Sequence, residues 1–121
     1  MTKLTNDYNL EERTAKFGEI VIDFCKKINQ NLINKPIIVQ LIRSSTSIGA
    51  NYMEANGASS RKDFKNKIYI CQKETRETKH WLRMLKRCNP EHKNEIEKIW
   101  DEAQELTLIF GKILSTLNKN F

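Results

Sequence analysis

Apolar residues recur every three or four positions along most of the chain, which is the spacing of amphipathic α-helices. The longest runs lie in the second half of the sequence. One comprises Phe64, Ile68, Cys71, Thr75, Thr78, Leu82 and Leu85, and the other Ile96, Ile99, Ala103, Leu106, Phe110, Ile113 and Leu117. Sustained spacing of this kind is typical of helices that interlock side by side. The pattern predicts an all-α fold.

Capping residues set the limits of four predicted helices, at about residues 9–31, 36–57, 60–88 and 90–118. Asn9 with Glu12 resembles a capping box, in which each side chain bonds to a free backbone N–H. Gly57 suits the left-handed residue that often ends a helix. Ser60 with Asp63 is a second helix-start signal.

Prolines support the same division of the chain. Pro36 fits the first turn of a helix, where a missing N–H costs nothing. Asn89 and Pro90 leave so short a loop that the last two helices are antiparallel. The prediction is one domain over residues 1–121, an up-and-down antiparallel four-helix bundle that assembles into a ring-shaped homo-oligomer.

Composition narrows the cellular setting. The 121 residues are 39% apolar and 30% charged, with a net charge of +6. No apolar run approaches the ~18 residues of a membrane span, and the polar start of the sequence lacks the apolar core of a secretory signal. Cys25, Cys71 and Cys88 form no Cys-x-x-Cys pair, which argues against structural zinc and disulfides. We expect a cytoplasmic protein with no membrane partner.

The positive charge is concentrated on the third predicted helix. Residues 58–88 hold ten Lys or Arg and three acidic residues, a net of +7, and the remainder sums to −1. Eight positions fall on one side of this helix and are called the basic ridge: Lys62, Lys65, Tyr69, Lys73, Arg76, His80, Arg83 and Arg87. The ridge predicts binding to a phosphate backbone. The alternative is a solvated face, partly neutralised by Glu97, Asp101 and Glu105 of the fourth helix.

A second stripe runs along another flank of the same helix: Ile70, Glu74, Glu77, Trp81, Met84 and Cys88. One bundle core needs a single seam, so an additional apolar stripe indicates contact with another surface. We expect Ile70, Trp81 and Met84 to contact a neighbouring subunit. The alternative is a broad core face that covers both stripes.

The second predicted helix carries a polar row beside its apolar face: Arg43, Ser47, Asn51 and Glu54. Partly buried polar groups need partners, and Arg–carboxylate pairs are the strong ones. Glu74 and Glu77 are the expected partners of Arg43. We interpret these six residues as a structural network that fixes the register between helices or subunits.

The polar row lies within a segment that resembles a known family. Residues 40–51 read QLIRSSTSIGAN and are followed by Glu54 and Ala55; residues 60–64 read SRKDF, and 73–78 read KETRET before Trp81 and Leu82. This pattern is similar to that of bacterial four helix bundle proteins, also called 23S rRNA intervening-sequence proteins. The chain departs from it in having Lys73 in place of a small residue and in lacking a Gly-Arg pair after Gly57.

The resemblance implies a non-enzymatic bundle that assembles into a ring, typically a homopentamer. It also implies a link to the accessory variability protein of diversity-generating retroelements, which binds nucleic acid through basic surfaces and associates with a reverse transcriptase. The predicted function is therefore that of a nucleic-acid-binding accessory protein. The alternative is a protein-interaction scaffold, for a reverse transcriptase or another partner, without nucleic-acid affinity of its own.

Other chemistry has little support in the sequence. Glu77 and His80 form one Glu-x-x-His pair, but a di-iron bundle needs two such pairs and further inward carboxylates. Neither histidine is placed to activate Cys71, and there is no Gly-rich phosphate loop. We expect no enzymatic activity, cofactor, metal or small-molecule substrate.

Overall fold

A computed structural model describes residues 9–119 of the chain. Four helices account for most of this range: α1 (Leu10–Cys25), α2 (Asn34–Asn56), α3 (Arg61–Cys88) and α4 (Lys93–Lys119). A 3₁₀ turn, Pro90–His92, precedes α4. Consecutive helices pack against each other, most extensively α2 against α3, and α1 makes only slight contact with α4. The predicted all-α four-helix bundle is confirmed.

The core follows the predicted apolar runs. On α3, the residues from Ile68 to Leu85 in the run are buried, and Phe64 is half-buried at its start. On α4, the run is buried from Ile96 to Ile113, and Leu117 packs against the edge of the core. The largest side chains fully enclosed between the helices are aromatic: Phe17, Phe24, Tyr52 and Phe110. Burial of these faces supplies the main driving force for folding.

The predicted end of α1 and its predicted capping box are wrong, although the helix begins where it was expected. The helix ends at Cys25, six residues before residue 31, because Lys27 and Ile28 bond back three residues instead of four. At its start, Asn9 has a left-handed backbone (φ 45°) and makes no side-chain capping bond. An N-cap side chain reaches the free N–H groups from an extended backbone, so this geometry removes the predicted capping box.

The second helix ends beside Gly57, as predicted, but the conformation expected of this glycine is wrong. This residue closes the helix with φ −96°, so it is not the left-handed terminator that its identity suggests.

The helix begins two residues before Pro36, because the Asn31 side chain accepts hydrogen bonds from the N–H groups of Ile33 (3.1 Å) and Asn34 (2.8 Å). Pro36 still lies within the first turn, where it leaves no bond unmade.

The start of α3 agrees with prediction. The Ser60 hydroxyl accepts a hydrogen bond from the Asp63 N–H at 3.0 Å, as expected of an N-cap. After α3, the short turn at Asn89 reverses the chain into α4, which begins at Lys93.

Direct links across the bundle align α1 with its neighbours. The Arg13 guanidinium donates two hydrogen bonds to Glu102 of α4, at 2.7 and 2.8 Å, and a third to Glu105 at 3.1 Å. The hydrogen bonds to Glu102 are the main cause of a raised Arg13 pKa, so the side chain stays charged. Toward α2, Gly49 brings its backbone close to Thr14, where an added Cβ would lie 3.4 Å from the Thr14 backbone.

Candidate nucleic-acid interface

The basic ridge lies on the side of α3 that faces away from the core. Lys62, Lys73, Arg76, Arg83 and Arg87 are exposed, as are Tyr69 and His80, and Lys65 is half-buried. The ridge runs from Lys62 to Arg87, a span of 26 residues, or about 38 Å of helix. One rigid element therefore presents every ridge position that the sequence predicted.

Ridge residues recur along α3 at intervals of 11 positions. Three series share this interval: Lys62 and Lys73; Lys65, Arg76 and Arg87; and Tyr69 and His80. Eleven residues turn a helix only ~20° beyond three full turns, so the members of each series stay nearly in line. Pairs of cations thus alternate with aromatic rings along a nearly straight row.

Most cations of the ridge have no carboxylate partner within the bundle. Among residues 9–119, no Asp or Glu oxygen lies within 4.0 Å of the charged groups of Lys62, Lys73, Arg76, Arg83 or Arg87. Two of the three acidic residues of α4 that could have neutralised the ridge pair with residues outside it, and the third, Asp101, lines a cleft together with Arg83. Glu97 contacts Lys86 at 3.4 Å and Glu105 contacts Arg13 at 3.1 Å. These five exposed side chains therefore present positive charge to solvent without an ion pair inside the described part of the chain.

Of the two aromatic rings on the ridge, Tyr69 is the more available. Its side chain is 46% exposed and borders a shallow cleft between α3 and α4 at Gln72 and Gly111. The His80 ring lies edge-on to the Trp81 indole, with the ring centroids 4.9 Å apart. An exposed ring between cations is a surface on which an unpaired base stacks.

Arg43 lies against both carboxylates that the sequence paired with it. Its guanidinium contacts Glu74 at 3.4 Å and Glu77 at closer range. The Trp81 indole N–H also donates to Glu77, at 3.0 Å. Hydrogen bonds from Trp81 and then Arg43 lower the Glu77 pKa below its ordinary value. This cluster joins the middle of α2 to the middle of α3.

The other members of the polar row lie outside this cluster, contrary to the prediction of one network. The Ser47 hydroxyl donates to the carbonyl of Arg43 at 2.7 Å, and the Asn51 amide donates to the carbonyl of Ser47 at 2.8 Å. Glu54 instead pairs with Lys67 at 2.7 Å. Ser and Asn side chains often bond to the preceding turn in this way, which leaves the sequence spacing a poor guide to their partners.

The second stripe of α3 is largely accounted for within one chain. Ile70, Trp81 and Met84 are half-buried, and Trp81 packs on the edge of the core. More exposed apolar side chains lie on α2, where Val39 is 57% and Met53 62% exposed. Sequence reasoning missed this face, although residues 39, 42, 46, 50 and 53 follow a helical spacing that could have revealed it.

Two adjoining clefts near the turn between α3 and α4 were also missed. The first, called the Trp100 cleft, has a volume of about 560 Å³ and is lined by Leu82, Arg83, Lys86, Ile96, Glu97, Trp100 and Asp101. The second, called the basic cleft, is about 450 Å³ and is lined by Arg83, Lys86, Arg87, Pro90 and Lys93. They share Arg83 and Lys86, so the C-terminal end of the ridge leads into both clefts. No spacing rule within one helix indicates a cleft formed by two helices.

The described part of the chain offers no activated nucleophile or metal cluster. Burial raises the pKa of Cys25 to about 11 and that of Cys71 to about 12, which keeps both thiols protonated. Within residues 9–119, no three His, Cys, Asp or Glu side chains are grouped to hold a metal ion. Glu77 of the Glu-x-x-His pair is bound by Arg43 and Trp81, as described above.

Comparison with known proteins identifies the family. The family model described as 23S rRNA-intervening sequence protein matches residues 6–112. The chain belongs to this family. A solved structure of similar fold is a protein of unknown function from the S23 ribosomal protein family of Bacteroides thetaiotaomicron VPI-5482. It is 32% identical, with a TM-score of 0.75, and the match covers 87% of this chain and 97% of that one.

Two further comparisons concern function and location. No curated protein matches this member of the intervening-sequence protein family. Across residues 9–119, none of the helices is both long enough and apolar enough to cross a membrane.

Proposed function

We propose that this intervening-sequence protein is a non-enzymatic accessory protein that binds nucleic acid through the basic ridge. The observation that carries the proposal is the row of cations on α3 that lack carboxylate partners among residues 9–119. Their exposed, nearly collinear groups suit a run of phosphates, because each contact releases counterions from the nucleic acid. The family description, which refers to ribosomal RNA, makes structured RNA the first ligand to test.

The test is a titration of fluorescently labelled RNA hairpin and DNA duplex with the purified protein at several salt concentrations. Binding that falls with a log–log slope of about four or more indicates that several ridge cations meet phosphates together. Reversal of Arg76, Arg83 and Arg87 to Glu is expected to abolish this binding without unfolding the protein, because all three side chains are exposed.

A matched control separates the ridge from overall charge. Lys16, Lys35 and Lys112 are exposed cations outside the ridge, and their reversal to Glu makes the same change in net charge, from +6 to zero. We expect this control to retain most of the affinity. An equal loss of affinity in the two variants would show that the interaction is non-specific charge attraction. Unchanged binding by the ridge variant would overturn the proposal.

We further propose that the chain self-associates into a ring, as a homopentamer. The exposed apolar side chains of Val39 and Met53 on α2 support association, since apolar patches on a surface often mark interaction sites. Native mass spectrometry gives the subunit count. Val39→Lys or Met53→Lys is expected to weaken assembly if α2 forms the interface, and Met84→Lys if the second stripe of α3 does. A native mass unchanged by all three substitutions would exclude both faces.

The second candidate function is a scaffold for a protein partner such as a reverse transcriptase. The exposed side chains of Val39 and Met53 on α2 favour this scaffold function, because they are apolar and the basic ridge is charged. This function predicts no RNA or DNA affinity beyond non-specific levels at physiological salt. Either function fits the cytoplasm, where the three free cysteines would stay reduced.

A further inference from the structure

The Trp100 cleft has the chemistry of a site for a flat aromatic ring. Its accessible apolar surface is chiefly that of Trp100, which is 37% exposed, and the buried residues Leu82 and Ile96 lie beneath it. The Lys79 ammonium lies 5.2 Å from the centroid of the indole and donates to Gln104 at 2.6 Å, which holds the ring in place from α3. The volume of the Trp100 cleft, about 560 Å³, is within the ~300–1,000 Å³ range of small-ligand pockets.

The basic cleft has the chemistry of a phosphate site. Arg83, Arg87 and Lys93 line it, and no carboxylate among residues 9–119 lies within 4.0 Å of their charged groups. Lys86 is partly neutralised by Glu97, 3.4 Å away. Two arginines offer paired N–H groups to phosphate oxygens, and a lysine adds a compact charge.

Charge is divided between the two clefts in a way that orients a ligand. The carboxylates of Glu97 and Asp101 line the Trp100 cleft and are absent from the lining of the basic cleft. Arg83 and Lys86 line both clefts, so two cations face two carboxylates in the first, whereas the charged residues of the second are all cations. A phosphate is therefore favoured in the second cleft. Carboxylates accept hydrogen bonds from amino groups, so those beside Trp100 suit the edge of a base.

The spacing of the two sites suits one nucleotide and its neighbour. Lys93 and Trp100 are seven residues apart, hence on the same side of α4 and about 10 Å from each other along the helix. Arg83 and Arg87 stand one turn apart on α3, opposite them. A base within a duplex is stacked and paired and cannot enter a side cleft without leaving the stack.

We propose that the paired clefts bind an unpaired nucleotide, with its base against Trp100 and an adjacent phosphate held by Arg83, Arg87 and Lys93. The inference rests on the proposed function and deepens it. The ridge binds the phosphate backbone of either strand type, and the clefts add a preference for single-stranded ends, bulges or loops. Stacking on one aromatic side chain corresponds to roughly a tenfold gain in affinity.

The experiment compares two labelled RNAs in the same titration: a blunt duplex and the same duplex with a short single-stranded adenosine overhang. The full chain is expected to bind the overhang RNA roughly tenfold more tightly. Trp100→Ala should remove this preference and leave affinity for the blunt duplex unchanged. Trp100→Phe, which retains a stacking ring, should keep most of it.

The phosphate site has its own variant and control. Lys93→Glu places a negative charge in the basic cleft and is expected to remove the preference, since Lys93 lies outside the ridge. Lys98→Glu makes the same charge change at an exposed position of α4 that lines neither cleft, and should leave the preference intact. Circular dichroism verifies that each variant is folded.

Failure of the inference is distinguishable from failure of the proposed function. Equal affinity of the unmodified protein for both RNAs, or a preference that survives Trp100→Ala, would overturn the inference and leave ridge binding standing. Absence of binding to either RNA would overturn the proposed function and this inference with it.

Discussion

Asn34 and Asn89 face each other with reciprocal hydrogen bonds, each side-chain amide N–H donating to the other's oxygen at 3.0 Å. Both residues are buried. The second N–H of each amide is also used: Asn34 donates to the Asn29 carbonyl at 2.9 Å, and Asn89 to the Leu85 carbonyl at 3.0 Å. The pair ties the first residue of α2 to the turn between α3 and α4.

Asn34→Ala is expected to lower the free energy of unfolding by about 1–3 kcal/mol, because it leaves the buried Asn89 amide without its partner. Chemical denaturation followed by circular dichroism measures the change. Asn94→Ala, at an exposed position of α4, serves as the control and should cost little. In a double-mutant cycle, loss of both amides should cost less than the sum of the single losses. Additive losses would show that the pair is not coupled.

The cysteines are expected to differ in reactivity, because only the thiolate is nucleophilic. Cys88 is exposed, whereas Cys25 and Cys71 are buried and have pKa values raised by burial to about 11 and 12. Brief treatment of the native protein with iodoacetamide at neutral pH should give one adduct by mass spectrometry, at Cys88. Cys88→Ser should remove it, and denaturant should expose the other two thiols. Rapid labelling of Cys71 in the native protein would contradict this burial.

The Glu77 carboxyl group is expected to make the free energy of unfolding depend on pH. Its folded-state pKa is lowered from 4.5, chiefly by the hydrogen bond from Trp81. A carboxyl group whose pKa is lowered by folding stabilises the folded state at pH values above its unfolded-state pKa. This contribution is lost as the pH falls from 4.5 through the folded-state pKa. Glu77→Gln should therefore be less stable than the unmodified protein at neutral pH and lose less stability on acidification. Glu91→Gln, at an exposed position, is the control; identical pH profiles for all three proteins would contradict the prediction.

The backbone of Gly57 predicts tolerance of a side chain. Its φ of −96° is open to any residue, and an added Cβ would meet nothing nearer than 3.8 Å. Gly57→Ala is expected to raise the free energy of unfolding by up to about 1 kcal/mol by restricting the unfolded chain. Gly49→Leu should instead lower it by about 1–3 kcal/mol, because α1 lies against that position. Destabilisation by Gly57→Ala would contradict the assigned backbone.

The features that could be predicted from the sequence are those set by periodicity within one helix. The core seam of α3 and the outward position of the ridge both follow from a 100° step per residue, and both are found where that step puts them. The partners of Arg43 could be predicted as well, because a guanidinium beside two carboxylates on a facing helix has few other options.

The features that could not be predicted depend on backbone geometry or on two helices at once. Asn9 and Gly57 are residue types that favour caps, but their φ angles of 45° and −96° differ from those that the predicted caps require. Glu54 was assigned to a network with Arg43, and it instead pairs with Lys67 on the nearest stretch of α3. The Trp100 cleft is lined by residues of both α3 and α4 near their turn, and the sequence of either helix alone gives no sign of it.

The core seam and the basic ridge are opposite sides of one continuous helix, so their phases are locked together. Inserting or deleting one residue between Lys65 and Arg83 would rotate everything downstream by about 100°. Such a change would move cations toward the core and apolar residues into water in a single step. The number of residues in this helix is therefore constrained more strictly than their identities. Single ridge residues can be substituted without disturbing the core, but they cannot be inserted or deleted.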